Sequence, residues 1–546
     1  MNLPACHSRR LLAGERKVFF CAHPRLHTPH HIVTSAVCKS CHLFAEPPPD
    51  RCRSLAACPE HLRQRSDLQL VIARFRENVH WRYHFHGVPT IVYDNGDARA
   101  ENALPNIGRE AHTYLHHIIT HYDDLAPTTV FLQGDPHPHV PDLSEKIWKL
   151  PADPGFQDLC DHILVEDGRG EPIQPGLRLK EMYEALFGEP APEYFVCHEA
   201  ACFAVSRENV LRRPRAFNER ALDLVVNRPL GPWEIERLWQ CIFQTRVVKQ
   251  GIVTAADAGF FRNLQWFLLS YQQWNRHPLV VLDLGLHEEQ RRWCLAQPGV
   301  SLHRMPTTFA AIERIRERPW WQAWLKPFYI FHAPLDRLLW IDADCTFQGD
   351  VGPVLESIDQ QPFLVRDDTI AVTENDPELY RYLTLPPNLD TRGINVNAGV
   401  VGLCKIRDRA LLSAWTYAVG WAARNPDKQA LSAWADQGLL LWALHRTSQT
   451  RFIRQDLAWN WPAHAFSDLL ASTLRGGHSM LEEIRRRCPD AKIVHWLGVY
   501  KLARQLDAEM EQLFLHGLPL DEDRTGDLRG GGRKSTPTAP HQIPPR

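Results

Sequence analysis

The chain has 546 residues, with 44% hydrophobic and 23% charged residues, which is the range of ordinary soluble globular proteins. This length and composition exclude one small fold and a broadly disordered chain. Lys and Arg number 62 against 64 Asp and Glu, a formal net charge of -2, so no global basic field exists to hold nucleic acid or an anionic membrane. There is no apolar run of the roughly 18 residues that cross a bilayer and no secretory-type N-terminus, which predicts a cytoplasmic protein without a transmembrane segment.

Cysteine and histidine are concentrated towards the N-terminus, with 6 of the 14 cysteines in the first 58 residues and 16 of the 28 histidines in the first 140. Cys21 and His23, followed by Cys38 and Cys41, supply two close ligand pairs, as a tetrahedral structural Zn²⁺ site needs. The first pair is C-x-H rather than C-x2-C, and a Pro-rich stretch follows at 46–50. The alternative is therefore a loose segment with scattered reduced cysteines. Residues 1–61 are predicted to form this Cys/His-rich segment.

A first α/β domain is predicted over residues 68–228. Short apolar runs at 70–73, 89–93 and 129–132 are typical of strands, and the amphipathic stretch 109–122 predicts a helix. Residues 150–190 are rich in Pro, Gly and Asp, which predicts a loop-rich stretch.

Polar residues stand where these elements begin and end. Arg109 and Glu110 open the predicted helix, with Asn106 as its predicted N-cap, while Gln133 and His137 follow a strand. These segments, with 197–199 and 203–207, resemble a domain of unknown function found in microbial and fungal proteins, sometimes beside glycosyltransferases. A carbohydrate site or a second transferase centre is one interpretation, and a capped helix with a histidine-rich surface is the other.

A second large domain is predicted over residues 240–510. Apolar runs at 251–254, 279–282 and 338–341 predict strands, and helical patterns at 263–274 and 288–294 lie between them. This alternation favours a largely parallel sheet with helices on both faces, in which ligands bind beyond the carboxyl ends of the strands. Residues 521–546 contain eight Gly or Pro residues in 26 and are predicted to be a disordered tail.

Two carboxylates follow an apolar strand directly, Asp342 and Asp344, with Ala343 between them. Charge at the end of a buried strand is costly unless a cation or hydrogen-bond donors meet it, and a divalent metal with oxygen ligands is a natural partner. On its own the triplet is weak, because acidic pairs at strand ends are often the solvated start of a loop.

Three further segments follow in a fixed order. Asn397 and Gly399 precede an apolar run, where small residues let the backbone approach a polar ligand, although a bulged strand would look the same. Asp436 and Gln437 stand at a predicted helix start, where simple N-capping is the alternative. His495 ends a predicted strand, and Gly498 and Lys501 follow at intervals of three.

The order D-x-D, N-x-G, D-Q-G, H-x-x-G-x-x-K resembles the retaining GT-A-fold glycosyltransferases of the glycogenin and lipopolysaccharide galactosyltransferase group, over about residues 245–505. The resemblance implies a GT-A-like mixed, mostly parallel sheet flanked by helices. It implies metal-dependent transfer from a nucleotide sugar, UDP-linked, to a glycan or glycolipid acceptor, with retention at the anomeric carbon.

The resemblance also implies roles for individual residues. Mn²⁺ or Mg²⁺ would be held by Asp342, Asp344 and His495, and the donor diphosphate would contact Gly498 and Lys501. The nucleotide would lie near Thr254, Ala255, Asp257 and Ala343. The sugar and acceptor side would be lined by Asn397 and Gly399, with Asp436 and Gln437 beneath the anomeric carbon.

Two positions depart from the family pattern. Leu502 and Ala503 follow Lys501 where the family usually has Pro-Trp, and Ala398 stands where the family often has serine, so the acceptor contacts are open. Lys326 is a candidate for a lysine found earlier in the family fold.

Two other functions stay open at this stage. One is a non-catalytic carbohydrate-binding or scaffolding protein built on a transferase-like fold. The other is a sugar nucleotidyltransferase, against which there is no early Gly-rich, Arg-Lys signature for a triphosphate.

Overall fold

The computed structural model describes residues 9–11, 18–21, 32–34, 65–85, 87–305, 321–366, 396–425, 436–454, 456–462, 484, 486 and 489–496. Contacts divide the described residues into two compact units. The first unit contains those of 1–250, 306–336 and 404–448, and the second contains those of 251–305, 337–403 and 449–546. Among the helices of these described ranges, none is both long and apolar enough to cross a bilayer.

Three short strands at the N-terminus form an antiparallel sheet in the order β1-β2-β3. They are β1 (Arg9–Leu11), β2 (Val18–Cys21) and β3 (Ile32–Thr34). Of the predicted zinc ligands, Cys21 ends β2, while His23, Cys38 and Cys41 lie outside the described residues. The zinc site stays a prediction.

The main sheet of the first unit has five strands in the order β5-β4-β6-β10-β7. β4 runs parallel to both β5 and β6, and β10 runs antiparallel to β6 and β7. A separate antiparallel pair is formed by β8 and β9. The bounds are β4 (Leu68–Arg74), β5 (Thr90–Asp94), β6 (Thr128–Gln133), β7 (Phe156–Asp158), β8 (Ile163–Asp167), β9 (Tyr194–His198) and β10 (Phe203–Ser206).

Side chains from both faces of this sheet are buried, because successive strand residues point to opposite faces. On β4, Leu70 and Ile72 belong to one apolar cluster, and Val71 and Ala73 belong to another. The second cluster also takes the apolar face of helix Arg109–Thr120. Near-continuous apolar strands such as β4 are typical of sheets covered on both faces.

The α-helices of the first unit confirm the predicted helix near 109–122 and add several others. They are Arg109–Thr120, Leu143–Trp148, Leu179–Phe187, Arg207–Leu211, Arg215–Asn227, Gly231–Glu236, Trp239–Phe243, Trp321–Trp324, Lys326–His332, Arg409–Arg424 and Asp436–Arg446. A 3-10 helix covers His80–Phe85.

The stretch 150–190, predicted to be loop-rich, also contains regular elements. This stretch contains β7, β8 and helix Leu179–Phe187. Tertiary packing overrides the local turn signal, since Leu179, Met182 and Leu186 are fully buried against the core.

The second unit contains a seven-stranded sheet in the order β13-β12-β11-β14-β17-β16-β18. β11, β12 and β13 are parallel, β16 and β17 are antiparallel, and β16 and β18 are parallel. The bounds are β11 (Gln250–Ala256), β12 (Leu279–Asp283), β13 (Val300–Arg304), β14 (Arg337–Ile341), β16 (Phe363–Arg366), β17 (Val396–Cys404) and β18 (Ile453–Arg454).

A smaller sheet in the same unit has the order β15-β20-β19. Its strands are β15 (Cys345–Phe347), β19 (Trp461–Pro462) and β20 (Ile493–His495). The α-helices of this unit are Phe261–Trp274, Glu288–Leu295 and Gly352–Ser357, and short 3-10 turns cover Thr450–Phe452 and Leu457–Trp459. The mixed α/β class predicted from the sequence is confirmed.

Candidate functional site

Three chain segments of the second unit meet at the predicted acidic motif. Asp342 follows β14 directly, and Asp344 precedes β15. β15 pairs antiparallel with β20, and the register sets Cys345 opposite His495. The Asp342 backbone N–H donates to the Gly399 carbonyl at 2.8 Å, which joins β17 to the same place. Residues far apart in the chain are thereby brought side by side.

The imidazole of His495 faces both carboxylates. Its Nε2 lies 3.2 Å from Asp344 Oδ1 and 3.9 Å from Asp342 Oδ2. The His495 side chain is 2% exposed, whereas the Asp342 and Asp344 side chains are 24% and 16% exposed. The imidazole therefore lies in the protein interior, whereas both carboxylates are partly accessible to solvent.

The other imidazole nitrogen has a specific partner. His495 Nδ1 lies 2.9 Å from Asn460 Oδ1, and both residues are buried. Neighbouring groups hold the acidic residues as well. The Trp340 indole N–H donates to Asp342 Oδ1 at 2.6 Å, and the Trp496 backbone N–H donates to the Asp344 carbonyl at 3.0 Å.

Gly399 leaves room for the imidazole. A Cβ added at this position would lie 2.2 Å from Cε1 and 2.6 Å from Nδ1 of His495. The Gly399 N–H donates to Asn397 Oδ1 at 2.7 Å. The prediction placed Asn397 and Gly399 before a strand, which was wrong, because both lie inside β17, all of whose residues are buried. The strand continues through them because it packs between β14 and β16.

The donor set fits a divalent cation. Ligands in adjacent positions around Mn²⁺ or Mg²⁺ are about 3 Å apart, because metal–oxygen bonds are about 2.1 Å long. The 3.2 Å between Asp344 Oδ1 and His495 Nε2 has this spacing. Carboxylate oxygens are ligands that suit Mn²⁺ and Mg²⁺, and the imidazole adds a nitrogen ligand of the kind that transition metals bind.

Sequence reasoning missed Cys345 and Asn460. The Cys345 thiol belongs with Asp344 and His495 to a group whose potential ligand atoms all lie within 4.8 Å of one another. A thiolate is a ligand that Zn²⁺ favours. The signal for Cys345 was its position directly after the acidic motif, whereas Asn460 has no local sequence signal.

The residues predicted to lie near the nucleotide belong to two neighbouring strands or follow them directly, because β11 lies next to β14 in the sheet. Thr254 and Ala255 lie inside β11, Asp257 follows it, and Ala343 lies between β14 and β15. Thr254 is fully buried, and Ala255 and Asp257 are half-buried. Asp257 Oδ1 accepts the Phe260 N–H at 2.9 Å, just before helix Phe261–Trp274. Ala343 is buried between the two acidic residues.

Asp436, Gln437 and Lys326 belong to the first unit. Asp436 begins helix Asp436–Arg446, as predicted, and Lys326 Nζ lies 3.7 Å from Asp436 Oδ2. All three side chains are buried. Gly498 and Lys501 lie outside the described residues, and the roles of these five residues stay predictions.

The polar residues predicted for the first domain lie at the end of a strand and at the start of a helix. Gln133 ends β6, opposite Ala73 of β4. Arg109 and Glu110 open helix Arg109–Thr120, with Arg109 Nε 3.5 Å from Glu110 Oε2. Burial raises the pKa of the Glu110 carboxyl, against the lowering effect of Arg109.

Two further details concern these residues. Burial lowers the pKa of His137, and Asp135 opposes that shift. The N-cap prediction for Asn106 was wrong: the N-cap position is Gly108, which has no side chain to bond the first turn.

Comparisons with known proteins give a family match and fold neighbours. Residues 70–148 match the model of a family of proteins of unknown function, DUF3431. No curated protein sequence is significantly similar to the chain. The structure is similar to the glycosyltransferase GlyE of Streptococcus pneumoniae TIGR4, with 14% identity and a TM-score of 0.31 over 46% of this chain. The chain covers 55% of GlyE.

Other solved glycosyltransferases show the same level of similarity. The galactosyltransferase LgtC, solved with donor and acceptor sugar analogues, is 16% identical with a TM-score of 0.31, over 50% of this chain and 98% of LgtC. The bifunctional glycosyltransferase WbbM is 12% identical with a TM-score of 0.33, over 79% of this chain and 94% of WbbM. Because these scores are low, the roles of residues here rest on the geometry of this chain.

Proposed function

We propose that the protein is a metal-dependent glycosyltransferase. It transfers a sugar from a nucleotide-sugar donor, UDP-linked, to a hydroxyl of a glycan or glycolipid, with retention at the anomeric carbon, in the synthesis of a polysaccharide or glycoconjugate. Asp342, Asp344 and His495 hold Mn²⁺ or Mg²⁺.

One observation carries the proposal: two carboxylates and one buried imidazole converge from separate strands at the end of an apolar strand. Burying these groups together is costly unless a cation is bound among them. The placement of the cluster beyond the end of β14 is where α/β sheets bind ligands. The sequence order of the motifs, which includes Gly498 and Lys501, supports a nucleotide sugar as that ligand.

In this mechanism the chain positions charge around the leaving group. Asp342, Asp344 and His495 would hold the cation, which would supply positive charge next to the nucleoside diphosphate leaving group. Asp342 is held for this role by the Trp340 indole, and Asp344 by the backbone of Trp496. The imidazole of His495 keeps its place because β17 has no side chain at Gly399, where the strand passes closest to the ring.

The test is cation-dependent hydrolysis of a panel of nucleotide sugars, followed by release of the nucleoside diphosphate. The wild type should turn over one donor with Mn²⁺, and Asp344→Asn, which keeps the shape but removes the charge, should lose more than about 100-fold in rate. This exceeds the 10–100-fold that removal of a partner outside the metal ligands typically costs.

The matched control is Asp350→Asn, because the Asp350 side chain is 59% exposed in the same unit. This variant should keep the wild-type rate. If no donor is hydrolysed or bound in the presence of Mn²⁺, the catalytic proposal fails, and a carbohydrate-binding or scaffolding role takes its place.

A further inference from the structure

Asn460 is the residue whose side chain contacts the Nδ1 atom of His495. It lies directly after the 3-10 turn Leu457–Trp459 and before β19. β19 pairs in parallel with β20, so Trp461 lies opposite Val494. This pairing brings the Asn460 side chain beside the imidazole, where Oδ1 lies 2.9 Å from Nδ1.

A neutral imidazole carries one proton and one lone pair on its two nitrogens. With the Asn460 carbonyl oxygen as acceptor, Nδ1 carries the proton, and Nε2 is the nitrogen whose lone pair is available to a bound cation. Nε2 is the atom that faces Asp344 and Asp342. Only this tautomer can ligate a cation held by the two carboxylates.

Burial makes the contact selective. As whole residues, Asn460 is 2% exposed and His495 is 1% exposed, so water does not replace the amide as acceptor. The backbone at Gly399 also packs closely against the ring, because even a methyl group there would overlap Cε1 and Nδ1. The imidazole therefore has one orientation, and the amide of Asn460 sets its proton.

We propose that Asn460 is a positioning residue that holds His495 in the Nδ1–H tautomer, so that Nε2 ligates the divalent cation. The inference rests on the proposed function for the identity of the site. The tautomer itself is a property of the protein without metal, and it is tested separately.

The first measurement is made on the metal-free full chain labelled with ¹⁵N-histidine. Long-range ¹H–¹⁵N spectra distinguish the two tautomers, and His495→Gln identifies the resonance. The wild type should show the Nδ1–H form, and Asn460→Leu, which is similar in shape but lacks the acceptor, should lose it. Because Nε2 of the metal-free protein lies 3.2 Å from Asp344 Oδ1 and can carry a proton there, the deciding observation is the proton on Nδ1. An Nδ1 without a proton in the wild type overturns the inference whatever the protein catalyses.

The second measurement is cation affinity, with Mn²⁺ binding followed by electron paramagnetic resonance and Mg²⁺ by competition. Asn460→Leu should weaken Mn²⁺ binding by about 10–100-fold and weaken Mg²⁺ less, since Mg²⁺ depends less on a nitrogen ligand. Asn460→Asp keeps an acceptor for Nδ1–H and should restore Mn²⁺ affinity to within a few-fold of wild type.

Asn275→Leu is the matched control. Asn275 is also a buried asparagine of the second unit, where its side chain bonds the backbone of Tyr271 and Val351. It should lose stability without changing the ratio of Mn²⁺ to Mg²⁺ affinity. Unchanged Mn²⁺ affinity in Asn460→Leu overturns the inference, whereas a wild type that shows the Nδ1–H tautomer but binds no cation contradicts the proposed function instead.

Discussion

At the scale of single residues, Gly399 leaves the space that the imidazole of His495 occupies. Gly399→Ala would place a methyl group 2.2 Å from His495 Cε1, so the ring must move. We expect Mn²⁺ affinity to fall at least about 10-fold, as when a ligand loses its orientation.

Paramagnetic resonance titration measures that affinity. Gly420→Ala serves as the control, because its added Cβ meets only the Arg424 guanidinium, at 3.4 Å. Wild-type Mn²⁺ affinity in Gly399→Ala would show that the ring position does not matter for binding.

His117 is a buried histidine whose protonated form is unfavourable in the folded protein. It is fully buried, its Nδ1 contacts the Tyr93 hydroxyl at 3.1 Å, and burial lowers its pKa to about 3 from 6.5. The unfolded chain therefore binds a proton that the folded chain does not between pH 6.5 and 3. Stability from this group is complete above pH 6.5 and is lost as the pH falls towards 3.

The variant His117→Gln should flatten the acid side of the stability curve. Between about pH 6 and 4, its free energy of unfolding should fall less steeply than that of the wild type, by about 1.4 kcal/mol per pH unit. Chemical denaturation across this range measures the slopes. His121→Gln is the comparison, because His121 is the C-cap residue of the same helix and is 32% exposed. Equal slopes for His117→Gln and wild type would contradict the lowered pKa of His117.

At the scale of elements, the side chain of Lys405 caps the C-terminal end of helix Lys326–His332, which is distant from it in the chain. Its Nζ donates to the carbonyls of Phe331 and Ala333, at the end of helix Lys326–His332. Burial lowers the Lys405 pKa to about 7, with Asp336 opposing the shift. A neutral amine has two N–H donors, which matches its two acceptors.

Because the folded pKa is depressed, the unfolded chain binds more protons between pH 7 and 10.5. Stability therefore rises with pH across this window. Lys405→Met should reduce that slope by about 1.4 kcal/mol per pH unit. At about pH 9 it should also destabilise the fold by about 1–3 kcal/mol, because two carbonyls lose their donor. Denaturant unfolding across the same window tests both effects, and an unchanged slope would refute the depressed pKa.

Elements with a strong pattern were predicted from sequence. The structure contains the strands predicted near 70–73, 129–132, 279–282 and 338–341 and the helix predicted near 263–274. These elements could be predicted because the spacing of their apolar residues reflects the burial that stabilises them. The elements within 150–190 were missed, since their local Pro and Gly content outweighed a weaker burial pattern.

At the scale of the whole molecule, the compact units do not follow chain order. The described residues of 306–336 and 404–448 group with those up to 250, although they lie within the predicted 240–510 domain. Lys326, Asp436 and Gln437 therefore belong to the first unit. The division of the chain into the predicted domains stays a prediction.

The sequence by itself determined the mixed α/β class and the types of ligand at the candidate site. Asp342, Asp344 and His495 were predicted as metal ligands from the order of the motifs and the family resemblance that it carries, since the acidic triplet alone is weak. Only the tertiary structure decided what surrounds them. Strand pairing brought Cys345 and Asn460 to His495 and placed Gly399 against its ring, and such contacts depend on register between segments far apart in the chain, which no local pattern encodes.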